Sequence, residues 1–333
     1  MSFQNTTKLM VKNLANKLGI EPVRLEYLKR ILKENAELAE ILKIKELDHN
    51  NHRNKLANLS EKGLTFYYDQ IHGPSFELNK GKNQNKVLIC SIPKCGTYFA
   101  AEILKNRGFI DTNVQLWQDF IHDYRGQTVE NKRADILPNQ IDICLSESLE
   151  LIQPGQFSLG HFPYSPENKK LFDSFKVIYV YRNLRNSCVS MMRFADELKP
   201  ESHWFLKGDW QQHQDKKIKF LEFLKIHGER YFNWINPITE WFNKPYLLSV
   251  SYENLSGTNG ISTQNTIYSN LNDFLELENQ NLLNGFCDST AINTKTMTST
   301  GQPSNWENYW TDEIECVFKR LGFYDLNKSL GYD

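Results

Sequence analysis

Residues Val87–Phe109, VLICSIPKCGTYFAAEILKNRGF, decide how the 333-residue chain is read. Val87, Leu88, Ile89 and Cys90 form a short apolar run, the pattern of a strand buried on both faces of a parallel sheet. Pro93 closes it, because proline has no N–H for the ladder. A basic turn follows, Lys94-Cys95-Gly96-Thr97. From Thr97 the pattern becomes helical, with Phe99 and Ile103 one turn apart and Gly108 as a left-handed stop. The first N–H groups of such a helix and the positive end of its dipole face the loop. Glycine allows close backbone approach, and lysine adds a mobile positive charge. This is a site for a phosphate or sulfate group.

The nucleotide-triphosphatase loop G-x-x-x-x-G-K-[ST] is absent, since Lys94 precedes the only loop glycine, Gly96. Further along, Phe157-Ser158-Leu159 reads as a short strand closed by Gly160-His161-Phe162-Pro163. Lys176–Tyr181 is a stronger strand running into Arg182-Asn183 and a helix, and Tyr246–Tyr252 is the last clear strand. Residues 110–150 read as helix and loop, and residues 1–80 as mostly helical. The expected fold class is therefore α/β, a central parallel sheet flanked by helices, with a helical N-terminal extension at 1–80 and the main domain at 86–333. In parallel sheets the ligand lies beyond the carboxyl ends of the strands. Lys94, His161 and Arg182 each fall just past such an end, so the three side chains are expected to meet in one crevice.

Positive and negative residues nearly cancel, Lys+Arg 39 against Asp+Glu 40, so no basic field argues for nucleic acid. No apolar run suits a signal peptide or a membrane span. The six cysteines form no C-x-x-C pair, as expected of a reduced, cytoplasmic protein without disulfides or structural zinc. His49-Asn50-Asn51-His52 lacks further ligands at metal spacing and reads as a solvated loop, so no metal is expected. The 1–80 extension would serve packing or homodimerisation, the competing reading being a substrate lid.

His161, at a strand end before a proline turn, is the candidate general base; the competing reading is a histidine bonded in a loop. Arg182 and Ser190, eight residues apart, offer a guanidinium fork and a hydroxyl for a terminal phosphate, or else a capped sheet edge and a solvated serine. Arg185 reads as solvated. Cys95, beside Lys94 at a helix N-terminus, is either a thiolate or a small loop residue.

The loop P-K-x-G-T resembles the 5′-phosphosulfate loop of sulfotransferases that use 3′-phosphoadenosine 5′-phosphosulfate (PAPS). Y-R-N with Ser190 resembles their 3′-phosphate motif, and Gly160-His161-Phe162-Pro163 their catalytic histidine segment. Ser251-Tyr252-Glu253-Asn254-Leu255 and Gly301-Gln302-Pro303-Ser304-Asn305-Trp306 resemble two later segments of the family, and Leu330-Gly331-Tyr332 the ending of many members. The resemblance spans about 86–332 and implies a P-loop-like sulfotransferase fold. It implies that Lys94 neutralises the leaving phosphate. Cys95, Gly96, Thr97 and Tyr98 would hold the 5′-phosphate, Phe99 would stack on adenine, and Arg182, Ser190 and the Gly301 loop would bind the 3′-phosphate. His161 would deprotonate the hydroxyl or amine of a small-molecule acceptor, for instance a secondary metabolite such as an alkaloid. PAPS would be the donor and PAP, the 3′,5′-bisphosphate, the product. Three departures stand out: Tyr98 for a second threonine, Leu159 for a lysine, and Ser299-Thr300-Gly301 for R-K-G; Lys295 is a candidate substitute for the last. The alternatives are a nucleotide-dependent small-molecule kinase and a non-catalytic nucleotide-binding protein.

Overall fold

The strand at Val87–Ser91 is the middle one of five parallel strands in a seven-stranded sheet. All five of its residues are buried, because both of its faces are covered. The structure, a computed structural model, describes residues 65–69, 73–77, 83–123, 139–197, 208–277 and 305–333. In chain order the strands are β1 (Thr65–Asp69), β2 (Gly73–Glu77), β3 (Val87–Ser91), β4 (Ile110–Leu116), β5 (Phe120–Asp123), β6 (Asn139–Asp142), β7 (Gln156–Gly160), β8 (Lys176–Tyr181) and β9 (Leu248–Ser251). The helices are α1 (Thr97–Asn106), α2 (Leu145–Glu150), α3 (Pro166–Leu171), α4 (Leu184–Glu197), α5 (Lys216–Thr239), α6 (Tyr252–Leu255), α7 (Ile261–Phe274), α8 (Asp312–Arg320) and α9 (Phe323–Ser329). Short 3₁₀ turns lie at Asp209–Gln212 and Trp306–Tyr309.

The large sheet runs β6-β5-β4-β7-β3-β8-β9. From β4 to β9 every pairing is parallel. One face of this part packs Val87, Ile89, Phe157, Leu159, Ile178, Val180 and Val250 against Phe99, Ile103 and Leu104 of α1 and Tyr268 and Leu271 of α7. The other face of β3 presents Leu88 and Cys90, both fully buried. There the Phe162 carbonyl accepts from Trp241 Nε1 at 2.9 Å and from the Cys90 thiol at 3.9 Å.

Three expectations need correction. The sheet is mixed, because β5 and β6 add antiparallel strands at the β4 edge, and residues 110–150 supply three strands as well as helix α2. The alternation that marks a strand is broken in β4 by a register shift between Asp111 and Gln115, where Asn113 has φ 53°. Its buried polar residue Thr112 is instead satisfied across the ladder, its hydroxyl donating to Ser158 Oγ at 3.1 Å. Thr65–Asp69 and Gly73–Glu77, expected to be helical, are instead the antiparallel pair β1 and β2. The rest of the 1–80 extension, with His49 and His52, lies outside the described residues, as do Lys295, Ser299 and Gly301. The last sheet strand is shorter than expected, with Tyr252 already in α6.

Candidate active site

Lys94, His161 and Arg182 follow the carboxyl ends of β3, β7 and β8, three adjacent parallel strands, so the topology brings them to one edge of the sheet. The loop between β3 and α1 turns sharply through two left-handed residues, Lys94 at φ 64° and Gly96 at φ 97°. The first is a strained conformation for a side-chain-bearing residue, of a kind that persists where the surroundings hold it. The Pro93 carbonyl accepts from Ser187 Oγ at 3.0 Å and from Tyr231 Oη at 2.9 Å, and the two hydroxyls lie 2.6 Å apart. Ile92 N–H donates to Val180 at 3.1 Å and Cys95 N–H back to Ile92 at 3.2 Å. Gly96 is the N-cap of α1, which has neither a side-chain cap nor an acidic residue in its first turn. The partial positive charge of this helix end is thus left for an anion.

Arg182 is 7% exposed, and its guanidinium lies 4.4 Å over the Tyr252 ring. Its Nε sits 3.7 Å from Glu253 Oε1, beyond hydrogen-bond range, and is a buried donor without a hydrogen-bond acceptor. A buried guanidinium in this state has charge and donors to offer an anionic ligand. Tyr252 also covers the loop: a Cβ added at Gly96 would stand 2.4 Å from its Cδ2. Gly96 and Arg182 therefore flank one ring.

His161 Nδ1 is 2.8 Å from the Ser91 carbonyl, which can only accept, so Nδ1 carries the proton and Nε2 the lone pair. The Ser91 hydroxyl lies 3.3 Å from the same nitrogen and 2.6 Å from Thr97 Oγ1, linking the histidine to the first residue of α1. Burial pushes the imidazole pKa down to about 4; the Ser91 bond opposes this and the Lys94 charge adds to it. Aromatic rings surround His161. Trp234 of α5 stands edge-on at 5.7 Å and Trp117 at 6.2 Å, while the two indoles stack at 6.1 Å and 17°. Trp117 further stacks on Phe120 at 5.4 Å and meets His122 at 5.6 Å. Burial lowers the His122 pKa to about 4 as well.

Other expected residues behave differently. Cys95 is fully buried, with its thiol 3.6 Å from Ser187 Oγ, and burial raises its pKa to about 12. It is a packed thiol rather than a thiolate. Phe99 is 6% exposed within the core cluster and meets Tyr252 edge-on at 5.8 Å, so its faces are taken by packing. Arg185, expected in solvent, is 6% exposed. Leu159, at the position of the missing lysine, is core. Thr97 is buried against Ser91, Tyr98 is half-buried with its hydroxyl 3.5 Å from Gln115 Oε1, and Ser190 is half-buried on α4. Lys94 Nζ lies 4.2 Å over the Phe194 ring of that helix.

Sequence reasoning gave Ser91, Trp117 and Trp234 no role of their own, and Tyr252 and Glu253 entered it only within the Ser251–Leu255 segment, also without a role. The strand-end rule that found His161 would also have found Trp117 and Tyr252, had the ends of β4 and β9 been placed correctly. Among the described residues no cluster of three His, Cys, Asp or Glu could hold a metal ion, and no helix is long and apolar enough to cross a membrane.

At one edge of the parallel strands the chain thus places an uncapped helix N-terminus, a buried arginine and a histidine within one hydroxyl of the loop, an arrangement suited to nucleotide-dependent group transfer. The sulfotransferase domain family matches residues 84–258, more than half of the chain, and the chain belongs to that family; sulfuryl transfer is its class of reaction. No curated protein sequence matches it. Similar solved structures include mouse sulfotransferase SULT7A1 complexed with PAP, at 16% identity over 75% of this chain and 88% of that one, TM-score 0.45. Retinol dehydratase in complex with retinol and PAP is 15% identical over 83% of this chain and 94% of its own, TM-score 0.41. The same enzyme with androsterone and PAP gives 15%, 84%, 94% and 0.41.

Proposed function

We propose that residues 86–333 transfer the sulfuryl group of PAPS to a hydroxyl or amine of a small-molecule acceptor in the cytoplasm, with His161 as general base. The observation that carries this reading is the hydrogen-bond state of His161: Nδ1–H is committed to the Ser91 carbonyl at 2.8 Å, leaving Nε2 as the proton acceptor. The residues present fit PAPS. The uncapped N-terminus of α1 and the Gly96 turn suit its 5′-phosphosulfate, and Arg182, without a hydrogen-bond acceptor for its Nε, suits its 3′-phosphate, with Ser190 of the following helix α4 as the second expected contact. Tyr252, rather than Phe99, offers the ring next to both. When bound, the donor would supply an activated sulfur whose transfer forms an O–S or N–S bond to the acceptor as the S–O bond to the phosphate breaks, releasing PAP. The acceptor proton moves to His161 Nε2. Lys94 lies close enough to depress the His161 pKa, and its charge offsets that of the departing phosphate. A dianionic phosphosulfate beside Lys94 would cancel that depression and strengthen the base. Trp117 and Trp234, stacked beside His161, suit a flat apolar acceptor such as a hydroxylated alkaloid.

The test is an acceptor screen with labelled PAPS beside His161→Ala. The variant should bind PAP as the wild type does and lose about 10²–10⁴-fold in turnover. Transfer at the wild-type rate would remove His161 from the mechanism, and tighter binding of ATP than PAP would favour a kinase.

A further inference from the structure

Arg182 and Glu253 are a buried ion pair that does not close. Their side chains are 8% and 13% exposed, yet Nε and Oε1 remain 3.7 Å apart. A carboxylate and a guanidinium this sheltered gain most from a two-pronged hydrogen-bonded fork. Two other donors hold Glu253 away. Tyr332 Oη donates to Oε2 at 2.7 Å, and the Asn183 N–H donates to Oε1 at 3.3 Å. The Tyr332 ring is itself wedged edge-on against Tyr181, 6.1 Å away, at the end of β8. The carboxylate therefore offers Arg182 a counter-charge without occupying its fork.

We infer that Tyr332 is a positioning residue that restrains Glu253 from pairing with Arg182 and so keeps Arg182 open to a phosphate group on the nucleotide ribose. This rests on the reading of Arg182 as the 3′-phosphate ligand. Without the phenol hydrogen bond, Glu253 is released to rotate onto the guanidinium, and a phosphate must then displace it. The penalty falls only on ligands that carry the 3′-phosphate.

The experiment is calorimetric titration of the full chain with PAP and with AMP, which lacks the 3′-phosphate. Wild type, Tyr332→Phe, Glu253→Gln and the double variant are compared. Tyr332→Phe should weaken PAP about tenfold and AMP less than about twofold. Glu253→Gln removes the competing charge, so it should raise the PAP-over-AMP preference severalfold. In that background Tyr332→Phe should change PAP binding less than about twofold. Equal weakening of PAP and AMP by Tyr332→Phe, no weakening of either, or an undiminished effect in the Glu253→Gln background would overturn the inference. A lower preference for PAP in Glu253→Gln, which can be measured even if the Tyr332 variant does not fold, would also overturn it. A wild type that binds PAP no tighter than AMP would reject Arg182 as the phosphate ligand and the role of Tyr332 with it.

Discussion

At the scale of single residues, Gly96 and the two depressed histidines make the sharpest demands. Gly96 combines φ 97° with a tyrosine ring where a Cβ would stand, 2.4 Å from Tyr252 Cδ2. Alanine there meets both the left-handed strain and the clash, and relieving the clash shifts Tyr252, the ring that Arg182 lies over. Gly96→Ala is expected to lower stability by about 1–3 kcal/mol and to weaken PAP binding, measured by denaturant titration and calorimetry. His161 and His122 have pKa values lowered to about 4 in the folded protein. The unfolded chain therefore binds more protons between about pH 4 and the ordinary histidine value. Stability is fully present above about pH 6.5 and is lost as pH falls toward 4, by on the order of 2 kcal/mol for each ring once its partial exposure is allowed for. His122→Phe, which keeps an aromatic ring beside Trp117 and Phe120, should flatten part of this slope. Thermal melts at pH 7.5 and 4.5 compare the two proteins, and an unchanged slope would show that His122 is protonated in the folded state.

At the scale of elements, the loop is held by helices far away in sequence. Ser187 of α4 and Tyr231 of α5 both reach the Pro93 carbonyl, and two hydroxyl protons serve three close contacts. Either hydroxyl alone can satisfy the carbonyl. Ser187→Ala and Tyr231→Phe should each cost about 1 kcal/mol, and the double variant more than their sum, because only then is a buried carbonyl left bare. A strictly additive cycle in urea titrations would contradict this sharing. This anchoring was not legible in the sequence, where Ser187 and Tyr231 look like any helical polar residues. The strand–loop–helix unit at 87–109 was legible, because an apolar run, a proline and a glycine leave few other readings. So was the strand-end placement of Lys94, His161 and Arg182, which follows from parallel topology alone. The β4–β6 segment was not, because its buried positions include Thr112 and Gln115, polar residues whose partners, Ser158 of β7 and Tyr98 of α1, are brought to them only by the fold.

At the scale of the whole molecule, residues 305–333 close onto the turn that carries Arg182. Leu184 N–H donates to Asn327 Oδ1 at 2.7 Å, and the Trp306 N–H donates to Asn186 Oδ1 at 3.2 Å. Arg185 is the centre of this closure. Its guanidinium donates to the Asp333 backbone oxygen and to Glu315 Oε1 at 3.3 Å. It lies 5.0 Å from the Trp306 ring, 5.5 Å from Trp310 and 5.3 Å from Phe318. Read in one dimension, an arginine three residues after another in a turn has no cue for burial; its aromatic surroundings come from a segment more than 120 positions away. Arginine enters such a cage more readily than lysine because its flat, weakly hydrated cation stacks on rings while its edge still donates. Removing it leaves Glu315, held by Trp310 Nε1 at 2.8 Å, without its buried counter-ion. Arg185→Met should therefore cost about 3 kcal/mol in stability. Arg185→Lys should recover only a minor part, since an ammonium cannot span Glu315 and the Asp333 oxygen with one planar fork. Because the same turn presents Arg182, both variants should also lose PAP affinity at temperatures where they remain folded. If denaturant titration and calorimetry find stability lowered but PAP binding intact, the closure braces the fold without shaping the nucleotide site.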